Sequence, residues 1–309
     1  VSYNPFYYKW DFVKRRKLYF VISGVLLLIG ILSVVIRGFN LGVDFSSGTR
    51  VDVLIGKPFV DEEVINISKE IGLTPDSVRS AGEGASTTAV LRYKGTITKE
   101  QFAELSQAYQ AKYGEGTTLS ESSISSEIGK ELAKKAVYSV LIASIGIIIY
   151  ITIRFEYRFA IAAVAALLHD VVMMVGFFSL FQIEIDTTFI VALLTIVGYS
   201  INDTIVTFDR IRENMKRMKM KTIEDLEELV NASIRQTLVR SINTVLTVLI
   251  ASTALMIFGG EGIRIFSLAL TVGLVFGVYS SIFIASQLWL VWKEQDFKKK
   301  KVRPALQND

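Results

Sequence analysis

TTFIVALLTIVGYSINDTIVTF, residues 187–208, holds 22 residues and one charged side chain, Asp203. At about 1.5 Å per residue, a helix of that length crosses a hydrocarbon core about 30 Å thick. Five further runs have the same character: Leu18–Ile36, Ala136–Ile153, Phe159–Ile183 with His169 and Asp170 inside it, Ser241–Gly260, and Ile265–Trp292. The pattern predicts six transmembrane helices, over 18–36, 136–153, 159–181, 187–207, 237–258 and 265–292. Of the 309 residues 51% are hydrophobic, and the concentration of these residues into uncharged runs excludes an ordinary soluble domain.

The chain is basic, with a formal net charge of +4, and the position of the cations decides what that means. Segment 1–17 carries five Lys/Arg, the turn at 154–158 two, segment 208–240 eight and the tail from Lys293 six, whereas 182–186 has none and 259–264 one. An even number of spans puts all the basic segments on one side, which the positive-inside rule makes the cytoplasm. The charge is a topology signal, and no nucleic-acid partner is expected. The 1–17 and 293–309 termini are then cytoplasmic, and Leu18–Ile36 is expected to be an anchor and not a cleaved signal.

Residues 37–135 carry 12 Lys/Arg against 14 Asp/Glu and read as a water-facing domain on the outer side. Alternation at Val51, Val53 and Ile55 predicts a strand. Val64, Ile67 and Ile71 at helical spacing, ending on Gly72, predict a helix over 61–72. Strands at 77–81 and 87–93 flank the turn Gly82-Glu83-Gly84. A second helix runs from Thr98 to Gly114, and 117–124 closes as a strand. The order β-α-β-β-α-β is that of ferredoxin-like folds. The predicted fold class is an α-helical polytopic membrane protein of six spans, with one ferredoxin-like α+β extracytoplasmic domain inserted between the first and second.

With no cysteine and one histidine, thiol catalysis and cysteine-based metal sites are excluded, and neither a resident cofactor nor an enzymatic activity is expected. An ionisable group inside a span is by default a functional-site hypothesis. Asp170 falls near the midplane of the third span, Asp203 in the cytoplasmic third of the fourth, and Arg240 in the first turns of the fifth, level with Asp203. A carboxylate facing a guanidinium at that depth could be tipped between protonation states, as a proton carrier requires. The alternatives are that Arg240 snorkels and Asp203 bonds a neighbouring helix. His169 reads as a packing group. The segment 208–236 is amphipathic, with Met215, Leu226, Leu229, Val230 and Ile234 on its apolar face, and is expected to lie along the inner membrane surface. Gly273 and Gly277 suggest close helix packing.

The run Gly198-Tyr199-Ser200-Ile201-Asn202-Asp203-Thr204 through Glu213 resembles the signature of the SecF family. The likeness extends to Gly42–Thr49, which has Ser47-Gly48 where the family usually has two glycines. It also covers Leu168-His169-Asp170-Val171, Glu184-x-Asp186, Arg240-Ser241-Ile242-Asn243-Thr244, Gly259-Gly260-Glu261, and Tyr279-Ser280-Ser281 to Ser286. Gln287 stands where a proline is common, which predicts a continuous helix there. The resemblance implies one six-helix half of an RND-superfamily transporter in the bacterial inner membrane. It implies SecD as the other half, the SecYEG channel, the SecA motor, YajC and YidC as partners, and unfolded preprotein on the outer side. It assigns the proton pathway to Asp203 and Arg240, with H+ as coupling ion and Na+ as the alternative; Asp170, from its place inside the third span, and Asn202 beside Asp203 are added as secondary members. Half of an RND-type small-molecule exporter is the competing reading. An intramembrane protease using Asp170 and Asp203 is disfavoured, because Ser200-Ile201-Asn202 precedes Asp203 in place of Gly-x-Gly.

Overall fold

The computed structural model describes residues 10–81, 87–218 and 220–305. The turn Gly82-Glu83-Gly84, residues 1–9 of the N-terminal segment, Lys219 and residues 306–309 of the tail lie outside the described residues, as does the side chain of Glu261. The chain divides into two compact units. One comprises Asn40–Ser139 with Glu184–Thr187, the other Val1–Phe39, Val140–Ile183 and Thr188–Asp309.

The first of these units is built on a four-stranded sheet. The short helix α2 (Val43–Ser46; α1 is Arg16–Arg37) leads into β1 (Gly48–Leu54), followed by α3 (Asp61–Glu70), β2 (Ser77–Ala81), β3 (Thr88–Tyr93), α4 (Lys99–Tyr113) and β4 (Thr118–Ile124). The sheet order is β2-β3-β1-β4 and every neighbouring pair is antiparallel. The alternation read in the sequence buries Val51, Val53 and Ile55 on one face, where they meet Leu91, Val64 and Ile67, Leu105 and Tyr109. Burying Tyr109 requires a partner for its hydroxyl, which donates to the Val64 carbonyl at 2.7 Å, and burial pushes its ionisation well above the ordinary tyrosine range. Helix α4 starts at a capping box formed by Thr98 and Gln101.

The same unit includes the Glu184–Thr187 turn. Gly42 N–H donates to the Ile185 carbonyl at 2.8 Å and Ile185 N–H to that of Asn40 at 2.8 Å. The backbones approach so closely that a Cβ on Gly42 would lie 2.9 Å from Glu184 Oε1. Arg92 bridges Glu184 at 3.4 Å and donates to the Asn40 side chain and the Leu41 carbonyl.

The second unit is a helical bundle formed by α1, α5 (Ser126–Arg154, whose first turns belong to the other unit), α6 (Tyr157–Leu180), α7 (Thr187–Arg217), α8 (Ile223–Phe258), α9 (Glu261–Ser280) and α10 (Ser286–Ala305). Helices α9 and α10 are joined through a π-helical turn, Ser281–Ala285, into one span, so that among the described residues six segments are long and apolar enough to cross a membrane. Helix α1 lies against α6 where two glycines meet: a Cβ on Gly176 would fall 2.6 Å from the Gly30 Cα. One turn further, the Ser33 and Ser179 hydroxyls pair at 3.0 Å.

Segment 208–236 departs from the expectation of a helix lying on the membrane surface. Helix α7 runs on to Arg217 and α8 begins at Ile223, capped by Thr222 and Asp225, so most of the segment belongs to extensions of these two helices. Its apolar face is buried in protein: Leu226, Leu229, Val230 and Ile234 share a core with Phe12, Val13, Phe208 and Ile211. Asn231 fixes that contact by accepting from the N–H groups of Phe12 and Val13 at 2.8 and 3.2 Å, while donating to Asp11 at 2.9 Å. The amphipathic period was right and the surface it covers was misjudged, because periodicity cannot distinguish lipid from a neighbouring chain segment. The helix is continuous at Gln287, as expected, with the π turn just before it at Ser281–Ala285, where Ser286 Oγ donates to the Ser281 carbonyl at 3.0 Å.

Candidate functional site

Three small residues let α9 close on α7. A Cβ on Gly277 would sit 3.1 Å from that of Ser200, and one on Gly273 would overlap Ile196. Across this close contact runs a seam of hydroxyls and carboxylates. On α7, Ser200, Thr204 and Thr207 recur at i, i+4 and i+7 and are all buried. Opposite them lie Asp170 on α6, Thr237 and Ser241 on α8, and Ser280 and Ser281 at the α9 end.

Asp203 is half-buried within this seam. Its Oδ1 accepts the Ser241 hydroxyl, whereas its Oδ2 is buried without a hydrogen-bond partner. A narrow cavity of about 10 Å³, near the lower limit for one water, is lined by Asp203, Ser200, Tyr199, Val245 and Gly277. A carboxylate with one bonded and one free oxygen beside a tight, mostly apolar cavity can take up and release a proton with little rearrangement.

Asp170 is brought to the same seam. Its Oδ2 accepts from Ser200 and, at 2.7 Å, from Ser280, and its Oδ1 lies 3.1 Å from His169 Nδ1. Arg240 is not brought to Asp203: among the described residues no ion pair joins them, and the exposed Arg240 lines a separate cavity of about 300 Å³ with Asp209, Arg210, Glu213 and Gln236. The reason is helical geometry. Arg240 and Ser241 are consecutive, about 100° apart on α8, so Ser241 meets Asp203 while Arg240 faces the cavity edged by Asp209, Arg210 and Glu213 further along α7. Asn202 is likewise turned out, exposed on α7 beside the buried Ile201. The hydroxyls Ser200, Thr204, Ser241, Ser280 and Ser281 were missed as site residues; the signal that could have found them is the i, i+4 pair Ser200/Thr204 and the other hydroxyls set inside otherwise apolar spans.

A six-span bundle with carboxylates bonded by hydroxyls in its interior, joined in sequence to a small antiparallel α/β unit, defines a polytopic membrane protein of the transport kind. Residues 104–295 match the family model described as protein export membrane protein SecD/SecF, C-terminal, and residues 32–58 that of the SecD/SecF GG motif. The chain belongs to the SecD/SecF family. It is 50% identical to the protein translocase subunit SecDF of Bacillus subtilis, over 96% of this chain and 40% of that protein. With the protein translocase subunit SecF of Alicyclobacillus acidocaldarius it shares 41% identity over 94% of this chain and 95% of that one. The crystal structure of SecDF from Thermus thermophilus, described as a translocon-associated membrane protein, superposes with a TM-score of 0.82 at 33% identity, covering 92% of this chain and 39% of that one. The chain thus spans about two fifths of the SecDF relatives and nearly all of the SecF relative.

Proposed function

We propose that this chain acts as the SecF part of the Sec export machinery and that, with SecD, it couples proton influx to the late movement of preproteins through the SecYEG channel. The observation that carries the reading is the half-satisfied carboxylate of Asp203 inside the bundle, one oxygen on Ser241 and the other free beside a cavity near the lower limit for one water. Asp203 is the proton carrier. Arg240, over the 300 Å³ cavity with Asp209 and Glu213, sets the electrostatic potential along the approach. H+ is the coupling ion, with Na+ the alternative that exchanging one gradient for the other decides.

The exposed Asn202 on α7 supports a second membrane half beside this one, since a bare amide toward lipid is costly. SecD supplies that half. The sheet unit is read as ferredoxin-like, its strand order and helix placement matching the split βαβ pattern. It lies on the outer side, where it handles the emerging preprotein, and both termini are cytoplasmic. SecA, YajC and YidC complete the partners on the family resemblance. In vesicles containing the channel and both halves, Asp203→Asn should assemble normally and lose the gradient-dependent component of export. Full stimulation in that variant overturns the assignment.

A further inference from the structure

Asp170 is the most deeply buried carboxylate among the described residues, 1% exposed, and His169 beside it is 6% exposed. A histidine serving only as packing has both ring nitrogens satisfied. In His169, Nδ1 meets Asp170 Oδ1 at 3.1 Å and Nε2 is buried with no partner. The ring stacks on Tyr279, 6.2 Å between centroids, but the Tyr279 hydroxyl is engaged elsewhere, donating to the Tyr19 carbonyl at 3.0 Å and accepting from Ser23 at 3.2 Å. With Nδ1–H donating to Asp170, Nε2 is left as a lone pair able to accept one proton.

Two consecutive buried serines lie in the seam between the carboxylate sites. Ser280 donates to Asp170 Oδ2 at 2.7 Å. Ser281, the first residue of the π turn, pairs at 2.9 Å with Thr204, next to Asp203 in sequence, and donates to the Ser200 carbonyl at 3.3 Å. Around Asp170, α7 and α9 present only the hydroxyls of Ser200 and Ser280, so His169 is its one titratable bonding partner among the described residues.

We infer that His169 and Asp170 form a second proton-holding site in series with Asp203, and that the seam hydroxyls, Ser200 and Ser280 on Asp170 and Ser281 on Thr204, carry the proton between the two. Each step exchanges one N–H or O–H bond for another. A proton bound at Nε2 is balanced by release of the Nδ1 proton to Asp170. Each serine takes one proton and gives one, and no electrons or heavy atoms move. The π turn suits this role, because a widened turn lets neighbouring serines address different partners.

The inference rests on Asp203 being the proton carrier, and the test separates the two. Gradient-driven export is measured against pH in vesicles holding the channel, this chain and its second membrane half. Asp203→Asn should abolish the gradient-dependent component. Asp170→Asn, His169→Gln and Ser281→Ala should each lower it at least tenfold, Asp170→Asn should also remove one titration step from the pH profile, and Ser281→Thr should restore the rate. In infrared spectra of the purified complex, Asp170→Asn should delete one protonated-carboxyl band, and Ser280→Ala should shift that same band. Wild-type rates in Asp170→Asn and Ser281→Ala, with Asp203→Asn inactive, overturn this inference and leave the carrier assignment intact. A fully active Asp203→Asn overturns both. Should Asp170→Asn fail to accumulate, Ser281→Ala against Ser281→Thr decides.

Discussion

Ser241 donates its hydroxyl to Oδ1 of Asp203, and the residue before it, Arg240, makes no ion pair with that carboxylate among the described residues. A hydrogen bond to a charged group is worth about 1.5–3 kcal/mol, so the serine is the more direct control on the proton occupancy of Asp203. Ser241→Ala should therefore change the gradient-driven rate about tenfold or more. Arg240→Lys, which keeps a cation over the 300 Å³ cavity, should cost less than threefold. The comparison of the two variants in one transport assay checks the order; a larger loss in Arg240→Lys would show that a direct pair forms during the cycle.

The α1–α6 contact depends on the absence of two side chains. A Cβ on Gly176 would fall 2.6 Å from the Gly30 Cα, while one on Gly24, on the same helix as Gly30, meets nothing within 4 Å. Gly176→Val should push the helices apart and cost about 1–3 kcal/mol, the usual price of overpacking. Gly24→Val should be close to neutral within the bundle. Thermal unfolding in detergent compares them, and equal stabilities would mean that the two helices separate freely.

Length and polarity made the spans readable, because crossing a hydrocarbon core imposes about 20 apolar residues and little else does. The strands around Val51–Ile55 were equally legible, since period-2 alternation has one structural meaning. Three things were not. Leu226, Leu229, Val230 and Ile234 repeat with helical period whether lipid or Phe12 covers them. The register of α8 against α7, which selects Ser241 over Arg240, is set by packing of both helices and leaves no mark at either residue. The unsatisfied Nε2 of His169 is a property of what surrounds the ring, so a lone histidine reads as packing until its neighbours are known.

The N-terminal segment is held to α8 by a small amide network that can be broken selectively. Asn231 accepts from the Phe12 and Val13 N–H groups, and Asp11 accepts from the Val13 and Lys14 N–H groups and from Asn231. Asn231→Ala leaves the Phe12 N–H buried and unpaired, at a cost of about 1–3 kcal/mol. Hydrogen exchange at Phe12 and Val13 should quicken, and Asp11→Ala added to it should cost less than it does alone, because the two act as one network. Desolvation works against the ionised Asp11, but the hydrogen bonds from Lys14, Asn231 and Val13 outweigh it and hold its carboxyl below the ordinary range. A depressed folded value stabilises above the unfolded value, so protection of these amides should weaken as pH falls through the acid range and not as it rises.

In the sheet unit, Arg92 is the partner of the buried Glu184, at 3.4 Å, and also donates to Asn40 and the Leu41 carbonyl. The turn Glu184–Thr187 belongs to this unit, yet it is the covalent start of α7, the helix that carries Asp203. Removing the guanidinium strands a buried carboxylate, and breaking such a pair costs about 3–5 kcal/mol, far more than the pair itself contributes. Arg92→Met should therefore loosen the turn, raising hydrogen exchange at Gly42 and Ile185, whose N–H groups bond the opposite strand of chain. Arg92→Met with Glu184→Gln should recover most of the protection, since no unpaired charge remains. If the double variant exchanges as fast as the single one, the turn is held by the Arg92 bonds to Asn40 and Leu41 and not by its pairing with Glu184.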